Sequence, residues 1–119
     1  MPIITTKDAN GEFIAAVDTF AESASGAGAV IEVSKCDVTV QVSGTATAIS
    51  VRLQRSTVYP GADGSLGNWA PVDDAITGDL TAGVNASVYV ESDHAWWRAA
   101  VTTVTGGNLT TSVSGTVAN

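Results

Sequence analysis

Along most of the chain, apolar and polar residues alternate at every second position, the period of a strand with one buried and one solvated face. Cys36, Val38, Val40 and Val42 alternate with Asp37, Thr39, Gln41 and Ser43. Ile49, Val51 and Leu53 alternate with Ser50, Arg52 and Gln54. Val84, Ala86, Val88 and Val90 alternate with Asn85, Ser87, Tyr89 and Glu91, and Trp97, Ala99 and Val101 with Trp96, Arg98, Ala100 and Thr102. Leu109, Thr111, Val113, Gly115 and Val117 repeat the pattern against Thr110, Ser112, Ser114 and Thr116. Residues 30–33 and 69–76 read as two further short strands, the second bent or at a sheet edge near Pro71. Turn-forming residues separate these runs: Ser43-Gly44-Thr45, the long stretch 59–68 with Pro60, Gly61, Gly64 and Gly67, then Thr77-Gly78-Asp79, Ser92-Asp93-His94 and Thr105-Gly106-Gly107-Asn108. About seven or eight strands result, each with its Val and Ala expected to face a common core. That pattern predicts an all-β fold, an antiparallel β-sandwich of immunoglobulin-like or jelly-roll-like kind.

The first 28 residues depart from this pattern. Phe13, Ile14, Val17 and Phe20 fall near helical spacing, while Phe13, Ala15 and Val17 also share one face of a strand. Both readings fit, and the strand is preferred. The run Ser23-Ala24-Ser25-Gly26-Ala27-Gly28 reads as a small-residue linker. The expected organisation is an N-terminal arm and linker, residues 1–28, joined to a β-sandwich domain, residues 29–119. On that reading, deleting the arm leaves a folded sandwich.

Composition sharpens the picture. The chain has 119 residues, of which 18 are Ala, 16 Val, 15 Thr, 12 Gly and 11 Ser; these types suit pleated sheet and turns better than helix. The formal net charge is -7, with five Lys and Arg against twelve Asp and Glu, which argues against binding nucleic acid through its phosphates. No apolar run approaches the roughly 20 residues of a helical membrane span, so no membrane partner is expected. Residues 1–8 lack the basic and apolar regions of a secretory signal. A lone Cys36 and a lone His94 supply neither an internal disulfide nor a Cys/His zinc site.

Little side-chain chemistry remains. His94 lies next to Asp93 and near Ser92, but a catalytic triad needs convergence in space, and neighbours on one strand or turn point apart. It reads as a turn residue, and Cys36 as a buried structural thiol. Asp73, Asp74 and Asp79, with Asp63 beyond them, form the densest acidic group; solvated turn carboxylates outweigh a calcium site there. No catalytic residue, metal or cofactor is assigned. The aromatics say more. One tryptophan, Trp97 or Trp69, is expected as the core plug; if Trp97 points inward, Trp96 must face the other way beside Arg98, exposed or covered by the N-terminal arm or another chain. Trp and Arg are enriched where interfaces carry their binding energy. Trp69, Trp96 and Arg98, together with the apolar arm residues Ile3, Ile4, Phe13, Ile14 and Phe20, are therefore the candidate interface. A Trp69 or Trp96 platform for a sugar ring is the alternative use of the same side chains.

The order of pieces resembles a known family. Val40-Gln41-Val42-Ser43-Gly44-Thr45 leads into Val51-Arg52-Leu53-Gln54-Arg55-Ser56, then Asp63-Gly64 with Asn68-Trp69, then Trp97-Arg98-Ala99-Ala100-Val101, and finally a Thr-, Val- and Ser-rich hairpin around Gly106-Gly107. Over about residues 36–115 this is similar to the small β-sandwich virion proteins of tailed bacteriophages. Trp97 stands where many of those have Tyr, and the loop at 59–68 is longer. The resemblance implies a non-enzymatic structural protein made in the host cytoplasm and carried on the virion. Its favoured role is capsid decoration or cementing, with the major capsid protein or other virion subunits as partners and self-association into a homo-oligomer. A tail or fibre component is the alternative within the family.

Overall fold

The computed structural model describes residues 3–4, 13–61, 66–83 and 85–116. Among the described residues eight strands form in chain order: β1 (Ile3–Ile4), β2 (Phe13–Phe20), β3 (Gly26–Ala27), β4 (Val30–Gly44), β5 (Ala48–Ser56), β6 (Ala70–Gly78), β7 (Asn85–Thr105) and β8 (Leu109–Thr116). One turn of 3-10 helix, Leu80–Ala82, joins β6 to β7. The strand path is β2-β8-β4-β7-β5-β6, with β1 beside β4 and β3 beside β7. Every ladder is antiparallel except the two-residue pairing of β1 with β4. The chain is an all-β antiparallel sandwich.

Its two layers share their longest strands. The first layer is β2, β8, residues 36–44 of β4 and residues 85–91 of β7. The second is residues 30–34 of β4, residues 94–105 of β7, β5 and β6, with β3 extending the ladder along β7. At the crossing, the register steps from Ser34 opposite His94 to Cys36 opposite Glu91. Thus β4 inserts Lys35, at φ 49°, and β7 inserts Ser92 and Asp93. Such insertions bend a strand, which lets one strand turn the corner between packed sheets. The expected break between residues 33 and 36 and the expected turn at Ser92-Asp93-His94 are therefore bulges within continuous strands.

The bulges also decide which residues face inward. One extra residue in β4 switches its buried row from Ile31 and Val33 to Val38, Val40 and Val42. Two extra residues in β7 leave its row unchanged: Glu91, Ala95, Trp97, Ala99 and Val101 are all buried. In the first layer, Val38 lies opposite Tyr89 and Val40 opposite Ser87, so Tyr89 and Ser87 take the inner side. Ala86, Val88 and Val90 point outward, and Val88 and Val90 are exposed. This reverses the expectation that the valines of this segment face the core. The polar row Asp37, Thr39, Gln41 and Ser43 fixes the orientation of β4, and β7 follows its partner.

The core lies between the layers. Trp97 fills its centre, with Ile14, Val38, Val40, Val42, Leu109 and Val113 on one side and Ile31, Val33, Ile49, Val51 and Leu53 on the other. Burial of Ile14 and Ala16, and the pairing of all eight residues of β2 with β8, make Phe13–Phe20 a strand of the sandwich. The linker reading of residues 23–28 is corrected in the same way. Gly26 and Ala27 pair with Val101 and Ala100, Ser23 N–H donates to Val104 O at 2.8 Å, and Ala29 N–H donates to Asp18 Oδ2 at 2.9 Å. At the far end, Asn108 ties two turns together. Its side-chain oxygen accepts from Thr45 Oγ1 at 3.1 Å, and its N–H donates to Thr45 Oγ1 at 3.1 Å. Gly106 adopts φ 78° there, where a side chain is disfavoured, and a Cβ would meet the Thr47 hydroxyl.

Candidate interface

The corner where β7 changes layers holds the buried charge of the fold. Glu91 follows Tyr89 on the inner row, so its carboxylate lies inside. Arg55, at the end of β5 opposite Trp97, reaches the same point. Its guanidinium donates to Glu91 through Nη2 at 2.7 Å and through Nε in a second bond. Trp97 Nε1 donates to Glu91 Oε1 at 2.9 Å, and Asp93 N–H to Oε2 at 3.0 Å. The Arg55 hydrogen bonds hold the Glu91 carboxyl below its ordinary range against the opposing effect of burial. This knot closes the β7 bulge and fixes the ring of the central tryptophan. The sequence pattern missed it because Glu91 belongs to a row expected to face solvent.

The outer face of the second layer gathers the aromatic and basic residues. On β7, His94, Trp96 and Arg98 alternate with the buried Ala95, Trp97 and Ala99. His94 Nε2 pairs with Glu32 Oε2 at 2.7 Å. Trp96 takes edge contacts from Tyr59 and His94, at centroid distances of 5.9 and 5.2 Å. Its indole Nε1 is buried and has no hydrogen-bond partner among the described residues. Arg98 donates through Nε to Gln54 Oε1 at 2.7 Å and places its guanidinium 4.1 Å from the centroid of Trp69. Burial pushes the pKa of Arg98 down. Trp69 in turn donates from Nε1 to Leu66 O at 3.1 Å. The structure thus brings Trp69, Trp96 and Arg98 onto one face, but each is already engaged by a neighbour. A sugar ring would have to displace Arg98 from Trp69, or Tyr59 and His94 from Trp96.

The outer face of the first layer is different in kind. Its middle strands present Thr110, Ser112 and Ser114 from β8, and Thr39, Gln41 and Ser43 from β4. Its edges are apolar. Val88 and Val90 stand out from β7, and Phe13 and Val17 from β2. Nothing in the notation of a half-buried strand singled out Val88 and Val90, since an outward valine row reads like an inward one until its partner strand is known.

The remaining candidate residues separate. Ile3 and Ile4 pair with Val30 and Ile31 through β1. Ile14 is a core residue and not an interface residue, because β2 turns it inward against β8 and β4. Phe20 packs partly buried against the same core. Phe13 is exposed on the β2 edge. Two of the acidic residues have structural partners: Asp73 accepts from Tyr89 OH at 3.4 Å, and Asp79 caps the 3-10 turn through Thr81 N–H at 2.9 Å, while Asp74 is exposed. The hydrogen bonds from Thr81 lower the pKa of Asp79. Asp63 lies outside the described residues. Cys36 is partly buried against the core, and Thr116 N–H approaches its Sγ at 3.3 Å.

These arrangements define the class of the molecule: an antiparallel β-sandwich with two unlike outer faces, whose buried carboxylate, Glu91, is held by Arg55, Trp97 and the Asp93 N–H. Comparison of the chain with protein-family models, with curated proteins and with solved structures finds no match.

Proposed function

We propose that this chain is a non-enzymatic structural subunit of a tailed-phage virion, a decoration or cement protein that sits on the outer capsid shell and bridges neighbouring subunits. The order of motifs over residues 36–115 supports the family. The observation that carries an assembly role is the outer face of the first layer, a largely Thr- and Ser-lined sheet, with Gln41 and Asp37, bordered on both sides by exposed large apolar residues. Exposed apolar positions grouped on one sheet face mark contact surfaces more often than solvated ones. The net charge of -7 favours approach to basic patches on a shell and keeps decorated particles apart.

The test is location. Particles purified from the source of this chain are labelled with an antibody against it and imaged. Dense labelling over the whole shell supports decoration. Labelling confined to tails assigns a tail or fibre role instead. Particles that carry none of the chain, together with glycan-array binding lost in Trp96→Ala, replace the structural reading with a carbohydrate-binding one.

A further inference from the structure

The sandwich treats its sheet edges unequally. Edge strands offer unpaired backbone groups to other chains, and proteins blunt them with charge, proline or bulges. The second-layer edge, β6, has all three. Pro71 lies within it, Asp73 and Asp74 add charge, and Asp73 at φ 66° forms a bulge opposite residues 51–53 of β5. The two first-layer edges have neither proline nor a bulge, and the one carboxylate in each, Asp18 and Glu91, is engaged within the fold. Residues 85–90 of β7 read Asn-Ala-Ser-Val-Tyr-Val, without charge or proline, and pair only with β4 among the described residues. β2 pairs only with β8 among the described residues, and its one charge, Asp18, is turned to the Ala29 N–H.

The two bare edges are also complementary. One spans eight residues and the other, from Asn85 to Glu91, is of nearly the same length. Three successive antiparallel ladders, β2 to β8, β8 to β4 and β4 to β7, make β2 and β7 run in opposite directions. A second copy placed so as to continue the layer therefore sets its β2 antiparallel to β7 of the first. On the shared outer face, Phe13 and Val17 (49% and 65% exposed) then lie beside Val88 and Val90 (61% and 74% exposed). The carboxylates nearest the contact are engaged within the fold in three cases, Asp18 by the Ala29 N–H, Glu91 by Arg55 and Asp73 by Tyr89 OH, while Asp37 stands beside Val90 on the outer face.

We infer that this chain associates head to tail with further copies of itself, the β2 edge of one pairing with residues 85–91 of β7 in the next to form a continuous sheet. A pairing of unlike edges propagates, so the product is a closed ring if the rotation between copies closes and a filament if it does not. The inference deepens the structural reading above by naming the contact through which subunits join.

Val17→Lys blocks the β2 edge and Val88→Lys blocks the β7 edge, each at an outward, exposed position. Light scattering after size exclusion, with circular dichroism to verify the fold, gives the readout. Wild type is expected to form species larger than a dimer as concentration rises. Each variant alone is expected to be monomeric, and an equimolar mixture of the two to form a one-to-one dimer and nothing larger, since one intact edge remains on each. If a variant loses its fold, Val17→Thr and Val88→Thr replace the lysines, with weakened association as the expected result. A wild type that stays monomeric, a single variant that still dimerises, or a mixture that stays monomeric overturns the proposal. Shell labelling is independent of these outcomes: a monomer that decorates capsids defeats the head-to-tail contact alone, and an oligomer absent from particles defeats the virion role alone.

Discussion

Arg55→Ala tests whether the knot at the layer crossing holds the sandwich together. The side chain of Glu91 is 1% exposed and that of Arg55 33%. Removing the guanidinium takes away two of the four hydrogen bonds to the carboxylate and leaves a charge facing only Trp97 Nε1 and the Asp93 N–H. Breaking a buried pair from one side typically costs 3–5 kcal/mol, and the partial exposure of Arg55 admits some water, so about 3 kcal/mol is expected at pH 7. For a domain of this size that lowers Tm by roughly 10 °C. The penalty depends on pH. In the wild type the folded pKa of Glu91 lies below the ordinary 4.5, so its contribution is complete above that pH and disappears as the pH falls through the folded value. In Arg55→Ala the main cause of that lowering is gone and burial raises the pKa, so protonation relieves the mutant first. Thermal melts from pH 7 to pH 3.5 should therefore show the two proteins converging as the pH falls. A drop of less than about 1 kcal/mol at pH 7, or a gap that stays constant down to pH 3.5, refutes the reasoning.

Three further outcomes follow from the packing. Gly106→Val should lower stability by about 2 kcal/mol or more, because it forces a branched residue to positive φ against Thr47; an unchanged Tm counts against that turn. Thr111 has a buried hydroxyl with no hydrogen-bond partner among the described residues, so Thr111→Val should stabilise by about 1 kcal/mol in urea denaturation, and a loss of stability would show that the hydroxyl is satisfied. Deleting residues 1–28 removes Ile14, Ala16 and an eight-residue ladder, several kcal/mol out of a total of about 5–15, so the truncated chain should lack a dispersed amide spectrum; a folded truncation restores the free-arm reading.

The inward rows of β4, β5 and β8 were legible in the sequence because there the apolar row of each alternation is the one that packs inside. So was the opposite facing of Trp97 and Trp96, which needs only the pleat; the pleat leaves open that Trp97 and not Trp69 fills the core. The segment 86–90 was misread because Ala and Val alternate there with Ser and Tyr, and alternation does not say which row is inside. The answer came from the partner strand: β4 has no apolar outer row to offer, so its Val38 and Val40 claim the core and leave Val88 and Val90 outside. The bulges were illegible for a related reason. Lys35 and Ser92-Asp93 carry no glycine or proline signal, and Ser92-Asp93-His94 reads equally as a turn. Glu91, hidden on the misassigned row, took Arg55 with it, and the buried pair was lost to sequence reasoning altogether.

The position of β2 ties folding to association but lets them be separated. Its inner residues Ile14 and Ala16 belong to the core, while its outer residues Phe13 and Val17 face solvent. Truncation cannot distinguish the two roles, since it removes both rows at once, and loss of assembly in a truncated chain is then the ordinary consequence of unfolding. Substitution on the outer row can. Exposed surface changes away from special geometry usually shift stability by no more than about 0.5 kcal/mol, so Val17→Lys should melt within a few degrees of wild type while losing the β2 contact. Ile14→Ala should do the reverse, costing about 2–5 kcal/mol through the cavity it leaves, with association intact at temperatures where the domain remains folded. Equal losses of stability from both substitutions would mean that the β2 edge is covered within the monomer and is no site of contact between copies.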